Sequence, residues 1–158
     1  MKTFIITIGI AGAGKSTAIK NHFFSATIIS PDSFIGYNQE DPWSFASAKL
    51  AWKRADALFM EALERGDEEI VFDAIFPKVK KRKKYIEKAK GFGYEVVALY
   101  CPIPLKIALA RNMGRDKFRA VPSETVEDMN RNLAEPKMEE GFAKILTFNS
   151  VMNILEED

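Results

Sequence analysis

Nine residues near the start of the chain, Gly9-Ile10-Ala11-Gly12-Ala13-Gly14-Lys15-Ser16-Thr17, constrain its fold more than any other segment. They complete the pattern G-x-x-x-x-G-K-[ST], a loop whose backbone N–H groups cradle phosphate. The apolar run Thr3–Ile8 before it reads as a buried parallel strand, and Ser16 to Phe24 reads as a helix. Gly9, Gly12 and Gly14 supply backbone conformations closed to other residues and let N–H groups approach phosphate oxygens. The positive end of the helix dipole points at the same anion. Lys15 is placed to reach the β- and γ-phosphates of a nucleotide and Ser16 to ligate Mg²⁺, with Gly12, Ala13, Gly14 and Thr17 completing the cradle. A glycine-rich turn without a ligand would leave the adjacent Lys-Ser pair unexplained.

The rest of the chain sets outer bounds. Its 158 residues suit one domain spanning 1–158, and 47% hydrophobic with 28% charged residues argues against disorder. No apolar run approaches the roughly 20 residues of a membrane span. The N-terminus reads as a strand and not as a signal peptide, so the expected location is cytoplasmic. Cys101 and His22 are the only residues of their kinds. An intrachain disulfide and a cysteine zinc site are thereby excluded, histidine-based triads or metal clusters are not expected, and His22 reads as a surface helix position. The net charge of +1 hides an asymmetry: Lys78–Lys90 carries eight Lys/Arg and one Glu, a local +7.

Strand-like runs recur at Thr3–Ile8, Ala26–Ile29, Ile70–Phe72, Tyr94–Tyr100 and Ala143–Phe148, with helical patterns between them. Phe45, Ala48, Trp52, Ala55, Phe59 and Ala62 share one helix face, which Gly66 ends. Val79, Ile86 and Ala89 form a narrow stripe on a lysine-covered helix ended by Gly91 and Gly93. Further helices run from about Leu105 to Met113 and from just after Pro122-Ser123. Alternating strands and helices predict an α/β fold: a five-stranded, mostly parallel sheet with helices on both faces, and a ligand crevice at the carboxyl ends of the strands.

Polar residues at those ends are the candidates. Asp32 follows the second strand, where it could orient an acceptor hydroxyl and take its proton, or serve as a turn or N-cap aspartate. Asp73 closes Val71-Phe72-Asp73, which resembles a Walker-B strand; it could hold Mg²⁺ or contact Ser16. Arg111, Arg115, Lys117 and Arg119 put four cations into nine residues. They read either as an arginine-bearing lid near 111–122 or as a solvated basic loop. The lysine-rich helix is either a soluble face or a track for a polyanion. Phe34, Tyr37 and Trp43 could be core or could stack on a base.

Taken together, the loop Thr7–Thr17, Asp32, Val71-Phe72-Asp73, Ala110-Arg111-Asn112-Met-Gly-Arg115 leading to Ala120-Val121-Pro122, and Glu135-Pro136-Lys-Met-Glu139-Glu140-Gly141-Phe142 resemble the 5′-hydroxyl polynucleotide kinases and their small P-loop relatives. The resemblance implies a three-layer, adenylate-kinase-like P-loop fold with strand order 2-3-1-4-5. It implies Asp32 as general base, Lys15 and Ser16 as phosphate and Mg²⁺ ligands, Arg111 and Arg115 as nucleotide-phosphate arginines, and Asp73 as the third-strand aspartate. Two departures stand out. Ile35 occupies the position where the phage-type kinases carry an acceptor-binding arginine, and no Asp-x-Asp-Gly-Thr phosphatase motif is present.

The expected function is therefore a Mg²⁺-dependent kinase that moves the γ-phosphoryl of ATP to a nucleic-acid hydroxyl, foremost the 5′-hydroxyl. Asp32, Lys15 and Arg115 would be catalytic, and Ser16 and Asp73 would hold the metal. The alternative acceptors are a small molecule (nucleoside, nucleotide, sugar or antibiotic, as in zeta-toxin-like kinases) or a hydroxymethylated DNA base. A slow nucleotide switch is the reading from another class, and the paired arginines argue against it.

Overall fold

The computed structural model describes residues 1–34, 45–115 and 120–157. Ile35, Tyr37, Trp43, Lys117 and Arg119 lie outside them.

The strand before the glycine-rich loop, β1 (Thr3–Ile8), is at the centre of a six-stranded sheet. With β2 (Thr27–Ile29), β3 (Glu69–Phe72), β4 (Glu95–Tyr100), β5 (Lys144–Asn149) and β6 (Ile154–Glu157), the order is β2-β3-β1-β4-β5-β6. The first five run parallel, as the alternation of strands and helices requires. A sixth strand, not expected from the sequence, returns antiparallel along β5, pairing Phe148 with Leu155 and Asn149 with Ile154. Its half-polar Ile-Leu-Glu-Glu run is exposed along much of its length, so it carries little apolar signal.

Five helices cover both faces: α1 (Lys15–His22), α2 (Phe45–Arg65), α3 (Val79–Gly91), α4 (Leu105–Met113) and α5 (Ser123–Asn132). Side chains of β1 alternate between the layers. Phe4, Ile6 and Ile8 meet Phe59 and Ala62 of α2 and Tyr85 and Ile86 of α3, while Ile5 joins Ala18 and Ile19 of α1, Ala108 of α4 and Val126 of α5. Phe34 packs half-buried on the first cluster, so it belongs to the core side of its two readings. His22 is exposed, as expected. Among the described residues, no helix is long and apolar enough to cross a membrane.

One helix face differs from its expected composition. Val79 is 44% exposed, whereas Arg82 and Tyr85 are buried beside Ile86 and Ala89. Arg82 is 0% exposed because its guanidinium is fully engaged. It donates to Phe76 O at 2.8 Å and Pro77 O at 3.3 Å, to Ala134 O, and to both oxygens of Glu140 at 3.0 and 3.1 Å. A buried arginine is tolerable only with such pairing. Thus one of the eight cations of Lys78–Lys90 is internal. Of the others, Lys81 lies 3.4 Å over the Trp52 ring and Lys84 faces Asp56 at 3.9 Å.

Candidate active site

The loop between β1 and α1 keeps its shape through two glycines. Gly12 and Gly14 have φ of 84° and 91°, in the left-handed region that side chains disfavour. A Cβ on Gly12 would sit 2.7 Å from Ala108 O, and one on Gly14 would sit 2.6 Å from Ser150 Cβ. Gly9 is different from what the pattern suggests. Its φ is ordinary, and it is needed for close approach, since a Cβ there would lie 3.0 Å from Cys101 O.

Gly14 caps α1 without a side-chain hydrogen bond, which leaves the first N–H groups of the helix for an anion. Lys15 Nζ folds back to donate to Ile10 O at 2.8 Å. Desolvation lowers its pKa, while Asp73, Cys101 and Asp32 pull it up and Arg115 pushes it down again. The same groups act on Asp73. Burial raises its carboxyl, Lys15 opposes that, Asp32 adds to it, and Ser16 and Arg115 lower it. Four residues from separate parts of the chain (15, 32, 73 and 115) therefore share one electrostatic field.

Each arrives by a local route. Asp73 follows β3 with the same alternation that turns Val71 toward the α1 layer, and its Oδ2 accepts from Ser16 Oγ at 3.5 Å. Asp32 lies exposed in a 3-10 turn, Pro31–Phe34, at the carboxyl end of β2. Ser33, not Asp32, supports that turn, its N–H and hydroxyl both donating to Ser30 O. Among the described residues no hydrogen bond engages the Asp32 carboxylate.

The two arginines diverge. Arg111 Nη1 donates to Gly12 O at 3.2 Å and to Ser150 Oγ at 2.8 Å, bracing the loop against the β5–β6 turn. Arg115 is exposed just past α4, and its charge is the smallest of the influences on Lys15 and Asp73. Between them Asn112, 3% exposed, clamps Val121: its Oδ1 accepts Val121 N–H at 2.9 Å and its Nδ2 donates to Val121 O. Asn112 O also accepts Arg115 N–H at 3.2 Å. Ser150 carried no sequence signal at all, and Asn112 was legible only as part of the Arg-Asn-x-x-x-Arg run. The Glu-Gly-Phe run before β5 proves internal, with Glu140 on Arg82 and Phe142 in the core.

Ser16 and Asp73 suit Mg²⁺ on their chemistry. Both present oxygen, and two neighbouring ligands on an octahedral ion with its bonds of about 2.1 Å stand about 3 Å apart, near the 3.5 Å observed. Among the described residues no group of three or more His, Cys, Asp or Glu side chains gathers for a metal.

Residues 4–136 match the family model of an AAA domain. The chain belongs to this family. The AAA domain also shares its fold with solved kinases. A gluconokinase from Sinorhizobium meliloti superposes with a TM-score of 0.61 at 20% identity, over 93% of this chain and 82% of that one. A shikimate kinase from Acinetobacter baumannii, solved with shikimate, gives 0.55 at 17% identity, over 83% and 75%. A chain of the AvrRxo1-ORF1:ORF2 complex solved with ATP gives 0.77 at 15% identity, over 99% of this chain and 57% of that one. At these identities the likeness is one of fold: a kinase-like P-loop α/β domain.

Proposed function

We propose that this AAA domain is an ATP-dependent kinase that phosphorylates a hydroxyl of a small molecule. The observation that carries the reading is the convergence of Lys15, Asp32, Asp73 and Arg115 on one field beside an uncapped helix N-terminus. A site for phosphate binding alone needs no exposed carboxylate at the end of β2.

In this reading the loop N–H groups and Lys15 hold the β- and γ-phosphates, with Lys15 leaving Ile10 O when phosphate arrives. Arg111 keeps the loop closed from behind. Ser16 and Asp73 would hold Mg²⁺, which when bound neutralises charge on the phosphate oxygens. Asp32 orients the acceptor hydroxyl and receives its proton. The hydroxyl oxygen forms its bond to the γ-phosphorus as the bond to the β–γ bridging oxygen breaks, and ADP leaves. Arg115, whose charge is felt at both Lys15 and Asp73, meets charge spread over the equatorial oxygens. Such positioned arginines are worth about 10³–10⁵ in rate.

The gluconokinase and shikimate kinase among the similar folds support a small acceptor. The polynucleotide reading rests on the sequence resemblance, with added support from the lysine-rich α3, which begins six residues after Asp73. That support is thinner than the sequence suggests, because Arg82 is internal and Lys81 lies on Trp52.

Transfer from labelled ATP to a panel of sugars, sugar acids, nucleosides, and 5′-hydroxyl RNA and DNA tests the proposal. The expected outcome is label on a small hydroxyl compound, with little change between 50 and 200 mM salt. Label confined to polynucleotides, with binding falling about 10³-fold or more over that salt range, would transfer the activity to the nucleic-acid reading. If no acceptor raises ATP consumption above its rate in water, the kinase reading fails.

A further inference from the structure

We infer that Thr7 is a positioning residue for Asp73: its buried hydroxyl fastens the chain just beyond the end of β3 and so aims the carboxylate at Ser16. The inference rests on the role proposed for Asp73 above.

Thr7 is 0% exposed in a strand otherwise built of apolar side chains past Thr3. A buried hydroxyl is costly without partners. Its partners all lie around residue 73. The β1–β3 ladder ends at the pair Ile6 and Phe72. Where it stops, Thr7 Oγ1 takes over, accepting Ala74 N–H at 2.9 Å and donating to Ala74 O at 2.6 Å, with Phe72 O at 3.2 Å as a longer second acceptor. On the other side, Asp73 N–H donates to Ile29 O at 2.7 Å. Farther on, Gly9 N–H donates to Ile75 O at 3.3 Å. Asp73 is thus held between β2 and a side chain of β1.

The path it is held on is strained. Phe76 has φ of 47°, a conformation a bulky residue keeps only where its surroundings impose it. Removing the Thr7 hydroxyl leaves Ala74 N–H without its partner and lets residues 73–75 relax away from Ser16. A valine at position 7 keeps the shape, so β1 and the phosphate loop stay in place.

The test compares Thr7→Val, Thr7→Ser, Asp73→Asn and the Thr7→Val/Asp73→Asn pair. Thr7→Val should lower turnover by about 10- to 100-fold, the loss expected of a misplaced catalytic group. ADP binding without metal should stay within about twofold, and Thr7→Ser should restore most of the rate. In the Asp73→Asn background Thr7→Val should add less than about twofold, because the two act as one unit. Independently of activity, amide hydrogen exchange at Ala74 should speed up in Thr7→Val while Ile6 and Val71 stay protected. Unchanged turnover, an equal loss in both backgrounds, or faster exchange at Ala74, Ile6 and Val71 alike would overturn the inference. If Asp73→Asn alone retains full activity, the role proposed for Asp73 fails, whatever Thr7 does.

Discussion

Replacing Glu140 by Gln should cost this fold a large part of its stability. The change is almost isosteric, so packing is preserved and only charge is lost. Arg82 is 0% exposed and the Glu140 side chain 6%, with both carboxylate oxygens on the guanidinium at 3.0 and 3.1 Å. Water cannot replace the lost charge, and the remaining partners of the cation are neutral carbonyls and an amide. Breaking one side of a buried pair costs about 3–5 kcal/mol, against a total stability of about 5–15 kcal/mol for ordinary domains. For a chain of this size each kcal/mol moves Tm by about 2–4 °C, so the expected drop is roughly 6–20 °C. Thermal and urea unfolding followed by circular dichroism measure it. Arg82→Met with Glu140→Leu should recover only part of the loss, because the carbonyls of Phe76, Pro77 and Ala134 lose their donor. A Glu140→Gln variant within 1 kcal/mol of the parent would refute the reasoning: Arg82 would then be solvated, and the cationic surface of α3 would be larger than described.

Other outcomes follow from the site. Asp32→Ala should leave ATP affinity unchanged and lower turnover by about 10²–10⁴; equal turnover in a steady-state assay would remove Asp32 from the mechanism. Asn112→Ala should leave the buried Val121 N–H without its acceptor, costing about 1–3 kcal/mol and raising KM for ATP through displaced arginines, both measurable by melting and kinetics. Cys101 is 1% exposed, and burial pushes its thiol up to about 12. Iodoacetamide at pH 8 should therefore leave it unmodified in the native protein and alkylate it in urea, as mass spectrometry would show.

What could be read from the chain alone was whatever is written locally. Thr3–Ile8 and Leu105–Met113 match their elements residue for residue, because a buried strand feeding a glycine loop and a proline-preceded helix are short-range patterns. Asp32 and Asp73 were legible for the same reason: both are the first acidic residues past an apolar strand. The failures are long-range. Val79 looked internal and Arg82 external, yet the burial of Arg82 depends on Glu140, 58 residues away. Ser150 meets Arg111 across 39 residues, and nothing near it in sequence announces that contact. Strand β6 escaped because an exposed edge needs no apolar alternation.

The brace from Arg111 to Gly12 and Ser150 also bears on the order of events during synthesis. Gly12 and Arg111 are 99 residues apart, and Ser150 lies further along still. The glycine loop leaves the ribosome about a hundred residues before Arg111, and earlier still than Ser150, so it emerges well ahead of the residues that hold it in shape. A nascent chain that has exposed only β1 and α1 carries the whole signature motif and no finished cradle. Nucleotide should therefore engage late, as a reward for closing contacts distant in sequence, and should act as a checkpoint on completed folding rather than as a seed for it.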